Sequence, residues 1–72
     1  MSDRLTTYGE MLDVLEHLPL ILRETRRQRG VSQRACARQT GTSFSTISRV
    51  ENGEDCTLSS AVALLRWIAD PD

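Results

Sequence analysis

The sequence predicts an all-α protein, a compact bundle of five short helices. Three observations favour this fold class. Apolar residues recur three and four positions apart through most of the 72-residue chain, which is the spacing of one helix face. Residues that begin or end helices separate these stretches. No stretch shows the alternation of apolar and polar residues that is typical of a half-buried strand.

The first helix is predicted over about 8–17. Thr7 and Glu10 stand three residues apart, as in a capping box, where each side chain bonds a backbone N–H near the other. The residue before a proline avoids the helical conformation, so Leu18-Pro19 is expected to end this helix. The apolar residues at helical spacing are Met11, Leu12, Leu15 and Leu18.

A second helix is predicted over about 19–29. A proline is favourable at its first position, because the N–H that proline lacks has no partner there. Gly30 suits the left-handed residue that commonly follows a helix. The side chains expected to face inward are Leu20, Ile21, Leu22 and Thr25.

Three more helices follow, and each is preceded by a hydroxyl residue that can accept a bond from an N–H of the first turn. Gly41 is expected to end the third helix and Gly53 the fourth. The predicted ranges and caps are 33–39 with Ser32, 44–51 with Thr42 or Ser43, and 58–69 with Thr57. The residues expected inside are Cys36, Ala37, Thr40, Ile47, Val50, Leu58, Ala61, Val62, Leu65 and Ile68.

The length fits one domain with a small core, assigned to 7–69 between a frayed start (1–6) and a short tail (70–72). Cys36 and Cys56 lie outside any Cys-x-x-Cys spacing, and with a single histidine they cannot complete a four-ligand zinc site. No metal, cofactor or small-molecule ligand is therefore expected. No apolar run approaches the roughly 20 residues of a membrane span, and no signal peptide is recognisable. We expect a cytoplasmic protein without membrane contact.

Charge is segregated along the chain, although the net charge is only −1. Residues 1–22 carry one arginine against four acids, and residues 50–72 carry one arginine against five. Residues 23–49 carry seven arginines against one glutamate. This pattern favours an anionic partner for the middle of the chain, since the arginine fork matches phosphate and the guanine edge. The alternative interpretation is a solvated charged surface.

The stretch 32–52 has the features of a helix-turn-helix, in which two short helices are joined by a tight turn. Ala37 is small where the second helix of the motif packs closely, and Gly41 permits the turn. Ile47 and Val50 are apolar and can attach the second helix to the body of the protein. The opposite face of that helix carries small polar residues and an arginine. We therefore expect it to enter the major groove of DNA as a recognition helix.

One stretch, LRETRRQRGVSQRACARQTGTSFSTISRVENG, is most distinctive at Arg26, Gly30-Val31-Ser32-Gln33, Ala37, Gly41 and 45–53. In these residues the chain resembles a known family, the lambda-repressor-like, Cro/XRE-type helix-turn-helix proteins. The resemblance covers about 20–68 and implies a lambda-repressor-like bundle with one extra N-terminal helix. It implies sequence-specific binding of double-stranded operator DNA by a phage or bacterial transcription repressor. The family consists mostly of dimers on pseudo-palindromic operators, so a homodimer is a further expectation.

The resemblance also implies roles for single residues. Phe44, Ser45 and Arg49 stand at positions that touch base edges, and Arg49 can fork onto guanine. Arg26 and Glu51 match an ion pair that ties the helix before the motif to the end of the recognition helix. The residues expected to contact phosphate are Gln33, Arg34, Arg38, Ser43, Thr46 and Asn52.

Several residues leave two interpretations open. Gln33 is either the counterpart of a family glutamine that bonds a DNA phosphate and braces the recognition helix, or a plain surface residue of its helix. Asn52 is either a phosphate contact or a plain helix stop. Phe44 stands where a polar residue is usual, so it either packs sideways on a neighbour or contacts a thymine methyl. Trp67 belongs either to the core or to a dimer contact. The core is thin, and the first helix is expected to compensate with Met11, Leu15 and Leu18.

The alternative function is a protein-interaction module, antitoxin-like or an adaptor, that uses its acidic flanks on the same fold. An enzyme is not expected, because the chain has one histidine, no Gly-rich phosphate loop and no catalytic cluster.

Overall fold

The computed structural model describes residues 2–70, and their side chains from residue 7 onward. Five helices account for most of this part of the chain, and none of it forms a strand. The predicted all-α fold is therefore confirmed. The helices are α1 (Ser2–Glu16), α2 (Leu18–Arg29), α3 (Gln33–Thr40), α4 (Phe44–Glu51) and α5 (Leu58–Ala69).

The last three helices begin at the predicted capping residues. The hydroxyl oxygens of Ser32, Ser43 and Thr57 each accept the backbone N–H three residues further on, at 3.1 Å. Ser43, and not Thr42, caps α4. Replacing such a cap by alanine typically costs about 0.5–2 kcal/mol, so the caps contribute noticeably in so small a domain. Local sequence thus determines where α3, α4 and α5 start.

The turn between α3 and α4 depends on Gly41. Its φ of 73° is left-handed, a conformation that side chains with a Cβ resist. This geometry lets the Thr42 N–H bond the Ala37 carbonyl at 3.0 Å, which closes the end of α3. The chain then reverses within the few residues that separate the two helices. The expected helix-turn-helix is present as α3, this turn and α4.

The core lies between α2, α3, α4 and α5. Leu22, Cys36, Ile47 and Leu64 are fully buried. Val31, which joins α2 to α3, packs against them. The remaining buried apolar residues are Leu18, Ala37 and Val50. Most of the predicted inner residues of α3 and α4 are therefore confirmed.

The inward face of α5 was predicted in part: Ala61, Leu65 and Ile68 pack against the core, but Leu58 and Val62 do not. Leu58 is 81% exposed and Val62 is also exposed, whereas Leu64, which was not predicted, is fully buried. The partly buried residues Ala61, Leu65 and Ile68 share a face with Leu64 at helical spacing. The true core face is thus rotated away from Leu58 and Val62. α5 carries more apolar residues than the core can accept, so spacing alone could not select the face.

Leu20 of α2 is a second correction, because it is exposed and not turned inward. It lies on the opposite side of the helix from the buried pair Leu18 and Leu22, which are one turn apart. Ile21 and Thr25 are half-buried at the edges of that face.

α1 differs most from the prediction. It begins at Ser2 and not near residue 8, so Thr7 lies inside the helix and does not cap it. It ends at Glu16, and Leu18 belongs to α2, with Pro19 in that helix's first turn as predicted. All side chains over 7–16 are exposed. The expected compensation of the core by Met11 and Leu15 is therefore wrong.

Arg29 fastens the end of α5 to α2. Its guanidinium lies 4.5 Å from the centre of the Trp67 ring and donates to the Trp67 carbonyl at 2.8 Å. It also donates to the carbonyls of Ile68 and Asp70. The Trp67 ring N–H donates to Gln39 of α3 at 2.9 Å. Half-buried Trp67 packs against the core, which favours the core interpretation of this residue.

Both cysteines are free, with Cys36 buried and Cys56 half-buried. Burial raises the pKa of the Cys36 thiol, and the nearby Glu51 carboxylate adds to this effect. No helix in the described part of the chain is long and apolar enough to cross a membrane. Over the same residues, no group of histidine, cysteine, aspartate and glutamate side chains is arranged to hold a metal ion.

Candidate nucleic-acid interface

α4 has one face in the core and one face in solvent. Ile47 and Val50 are buried and attach the helix to the body of the domain. Ser45 and Arg49, which stand four residues apart, are exposed together on the other side. Asn52, the residue that ends the helix, is exposed as well. The outward face therefore presents polar side chains on a helix that the core holds in position.

The first turn of α4 is held by hydroxyl groups. The Ser43 hydroxyl accepts the Thr46 N–H, and the two side-chain oxygens are 2.9 Å apart. Ser43 is exposed and Thr46 is half-buried, so both lie at the surface of the turn. These hydrogen bonds fix the start of α4.

The last residue of α4, Glu51, is a buried carboxylate, with 2% of its side chain exposed. Arg26 of α2 donates two hydrogen bonds to it, from Nε to Oε2 at 2.8 Å and from Nη2 to Oε1 at 3.1 Å. A third Arg26 nitrogen donates to the Val31 carbonyl at 3.1 Å. The ion pair that the sequence resemblance implied is thus present, and it joins α2 to the end of α4.

Two further side chains contact Glu51. The Gln33 amide donates to Oε1 at 3.1 Å, which braces the start of α3 against the end of α4. Arg23 donates to the Glu51 backbone carbonyl at 3.2 Å, and its Nε lies 3.6 Å from the carboxylate. Glu51 therefore connects α2, α3 and α4 through three side chains. The phosphate contact expected of Gln33 stays a prediction.

Burial by itself would raise the pKa of the Glu51 carboxyl. The hydrogen bonds from Arg26 and Gln33 and the two arginine charges outweigh burial, so the pKa lies below its ordinary value of 4.5. The hydrogen bond to Glu51 likewise raises the pKa of Arg26. Glu51 is therefore charged at neutral pH, and removing either partner would leave an uncompensated charge in a largely dry site.

The surface around α3 and α4 is positive. Over residues 25–53 the chain has six arginines, and its one acidic residue, Glu51, is buried and neutralised. Arg34, Arg38 and Arg49 are exposed. Glu54 and Asp55 are exposed directly after α4, and Asp55 lines a pocket with Arg49, so the positive surface ends there. The exposed arginines of α3 and α4 suit a polyanion.

Comparison with known proteins agrees with this geometry. A family described as Helix-turn-helix domain matches residues 20–67, which is more than half of the chain. The chain belongs to this family. It is a family of Cro/XRE-like DNA-binding domains, and membership indicates DNA binding and transcription regulation. No curated protein and no solved structure matches the chain significantly.

The helix-turn-helix domain contains one contact that the sequence left open, at Phe44. This residue is the first of α4, and 41% of it is exposed. The Arg34 guanidinium, from α3, lies 4.6 Å from the ring centre. Phe44 therefore does pack sideways on a neighbour, and that neighbour is a residue that had been expected to contact phosphate.

Sequence reasoning missed two arginines that hold this helix-turn-helix domain together, Arg23 and Arg29. A signal existed for Arg23, because it precedes Arg26 by three residues and therefore shares its helix face. No signal existed for Arg29, whose partners are backbone carbonyls some forty residues away. Residue spacing cannot predict a contact between a side chain and a backbone carbonyl that is distant in the sequence.

Proposed function

We propose that this domain is a sequence-specific double-stranded DNA-binding protein, a phage or bacterial transcription repressor that works in the cytoplasm. The observation that carries the proposal is the two-sided character of α4, which has an exposed polar face on a helix anchored by Ile47, Val50 and Glu51. In helix-turn-helix proteins the corresponding helix lies in the major groove, with its N-terminal residues against base edges.

In this proposal the exposed face of α4 supplies the sequence specificity. Arg49 forks onto a guanine, a contact worth about 1–3 kcal/mol of discrimination. Ser45, one turn earlier, forms a hydrogen bond with a neighbouring base as donor or acceptor. Phe44 adds an apolar contact. The side chains proposed to bond phosphate around this helix are Gln33, Arg38, Ser43, Thr46 and Asn52.

Gln33 is proposed to have two functions at once. Its amide nitrogen donates to Glu51 and so holds the two helices of the motif together. An amide has a second N–H, which remains for a phosphate oxygen. A phosphate contact would thus position the recognition helix without carrying sequence information.

The test is enrichment of random duplexes by the full chain, followed by sequencing. We expect a defined motif, and half-sites about one helical turn apart would show that the protein binds as a dimer. Gln33→Ala should weaken binding to all sequences by a similar factor. Failure to enrich any duplex motif would contradict the proposed function.

A second candidate function, a protein-interaction module, is favoured by one observation. Met11, Val14 and Leu15 of α1 form an apolar groove with Leu65 of α5. Glu10 of α1 lines the same groove, so a partner helix with apolar residues and a basic residue would suit this surface. Leu15→Ser should leave the oligomeric state measured by size-exclusion chromatography with light scattering unchanged, since like charges oppose self-pairing through this groove. A concentration-dependent dimer lost in Leu15→Ser would instead assign the groove to a homodimer.

A further inference from the structure

Arg34 and Phe44 form a pair at the leading end of the recognition helix. They come from different helices, both are exposed, and the guanidinium lies 4.6 Å from the ring centre. No described acidic residue forms an ion pair with Arg34, whereas Arg23, Arg26 and Arg27 each have one. The aromatic ring is thus the partner that orients this arginine.

Over the described residues, the Arg34 guanidinium contacts the Phe44 ring and donates no hydrogen bond, so its N–H donors remain usable. These donors lie in the plane of the guanidinium and form a fork. The fork of Arg34 therefore stays available for an acceptor pair while the ring holds the group in place. The guanine edge in the major groove offers such a pair, O6 and N7.

Phe44 presents the complementary chemistry. Its ring has no hydrogen-bonding group, and it stands at the helix position that first meets the bases. The apolar group that the major groove offers is the C5-methyl of a pyrimidine. The two side-chain groups are only 4.6 Å apart, so bases that they contact must be neighbours in the duplex.

We propose that Phe44 and Arg34 act as one reading unit for a two-base step, a C5-methylated pyrimidine next to a guanine. Phe44 covers the methyl group, and Arg34 forks onto the adjacent guanine. This inference rests on the proposed DNA binding, and it makes Arg34 a specificity-determining residue and not a phosphate contact. Thymine and 5-methylcytosine carry the same methyl group, so both satisfy the ring.

The experiment uses the enriched duplex motif and varies the methyl group at one pyrimidine position. At the pyrimidine contacted by Phe44, thymine is replaced by deoxyuridine, and in a second arm by cytosine and 5-methylcytosine. Loss of the methyl should weaken wild-type binding about threefold to fivefold, as for one buried methyl group. Phe44→Ala should bind the methylated and unmethylated duplexes equally. The arm with 5-methylcytosine shows whether either source of the methyl is accepted.

Arg34 is tested at the neighbouring guanine with two variants. Arg34→Ala should lose about tenfold to a hundredfold of discrimination for that guanine. Arg34→Lys keeps the charge without the planar fork, so it should lose the same discrimination while retaining the salt dependence of binding. Circular dichroism checks that both variants fold. We expect that they do, because Arg34 is exposed.

Two results would overturn the inference while leaving DNA binding intact. One is equal wild-type affinity for thymine and deoxyuridine at every position of the motif. The other is an Arg34→Ala variant that weakens all sequences equally and is restored by Arg34→Lys, which would mean a phosphate contact. If no duplex is enriched at all, both the inference and the proposed function fail together.

Discussion

At the scale of single residues, Glu51 has the largest structural effect. It is the last residue of α4, and its carboxylate accepts hydrogen bonds from Arg26 and Gln33 in a buried site. Desolvation makes such a pair a weak net source of stability, but breaking it by removing one partner costs about 3–5 kcal/mol. For a domain of this size that is a large share of the total stability.

The lowered pKa of Glu51 predicts a specific pH dependence. A carboxyl whose pKa is lower in the folded state contributes stability that is complete above its unfolded pKa and is lost as pH falls through the folded value. Wild-type unfolding free energy should therefore fall as the pH drops below about 4.5, the ordinary value. In Glu51→Gln this contribution is absent at every pH, so the variant is less stable at pH 7 and the difference narrows in acid.

Urea denaturation followed by circular dichroism between about pH 3 and 7 measures this effect. Glu54→Gln, at an exposed position three residues away, is the matched control and should keep the wild-type loss in acid. A gap between wild type and Glu51→Gln that stays constant over this range would show that the charge of Glu51 does not stabilise the fold.

At the scale of helices, the sequence predicted where α3, α4 and α5 begin, but it did not predict where α1 begins or all the residues of α2 and α5 that face inward. Ser32, Ser43 and Thr57 are local signals, and the helices they cap begin where predicted. The inward face depends on which residues meet in space. In α5 the apolar residues outnumber the core positions, so Leu64 could not be distinguished from Leu58 by spacing. For the same reason, the apolar residues of α1 suggested a core contribution that the fold does not use.

The position of the core predicts a contrast between two leucines. Leu64→Ala of α5 removes a fully buried side chain and should cost about 2–5 kcal/mol of unfolding free energy. Leu15→Ala of α1 truncates a side chain that is 46% exposed and should cost less than about 1 kcal/mol. Thermal and urea unfolding of the two variants provide the comparison. Equal losses would mean that α1 is part of the core.

At the scale of the whole molecule, the fold keeps apart the acidic and basic segments that are separate in the sequence. The acidic ends of the chain lie in α1 and in the segment after α4, while exposed arginines surround the helix-turn-helix. The uneven charge along the sequence predicted this surface without any knowledge of the fold. The reading pair of Arg34 and Phe44 was not predictable, because it forms only when α3 and α4 meet.

The central claim is that the outer face of α4 reads DNA bases, and one measurement tests it most directly. Affinities of Arg49→Ala and Arg38→Ala are measured against the enriched duplex, its single-base variants and a series of salt concentrations. Both residues are exposed arginines, one on α4 and one on α3. Arg49→Ala should relax specificity at one base pair by about 1–3 kcal/mol. Arg38→Ala should weaken all duplexes alike and lower the slope of log affinity against log salt by about 1. If Arg49→Ala behaves like Arg38→Ala, α4 does not read bases and the claim is wrong.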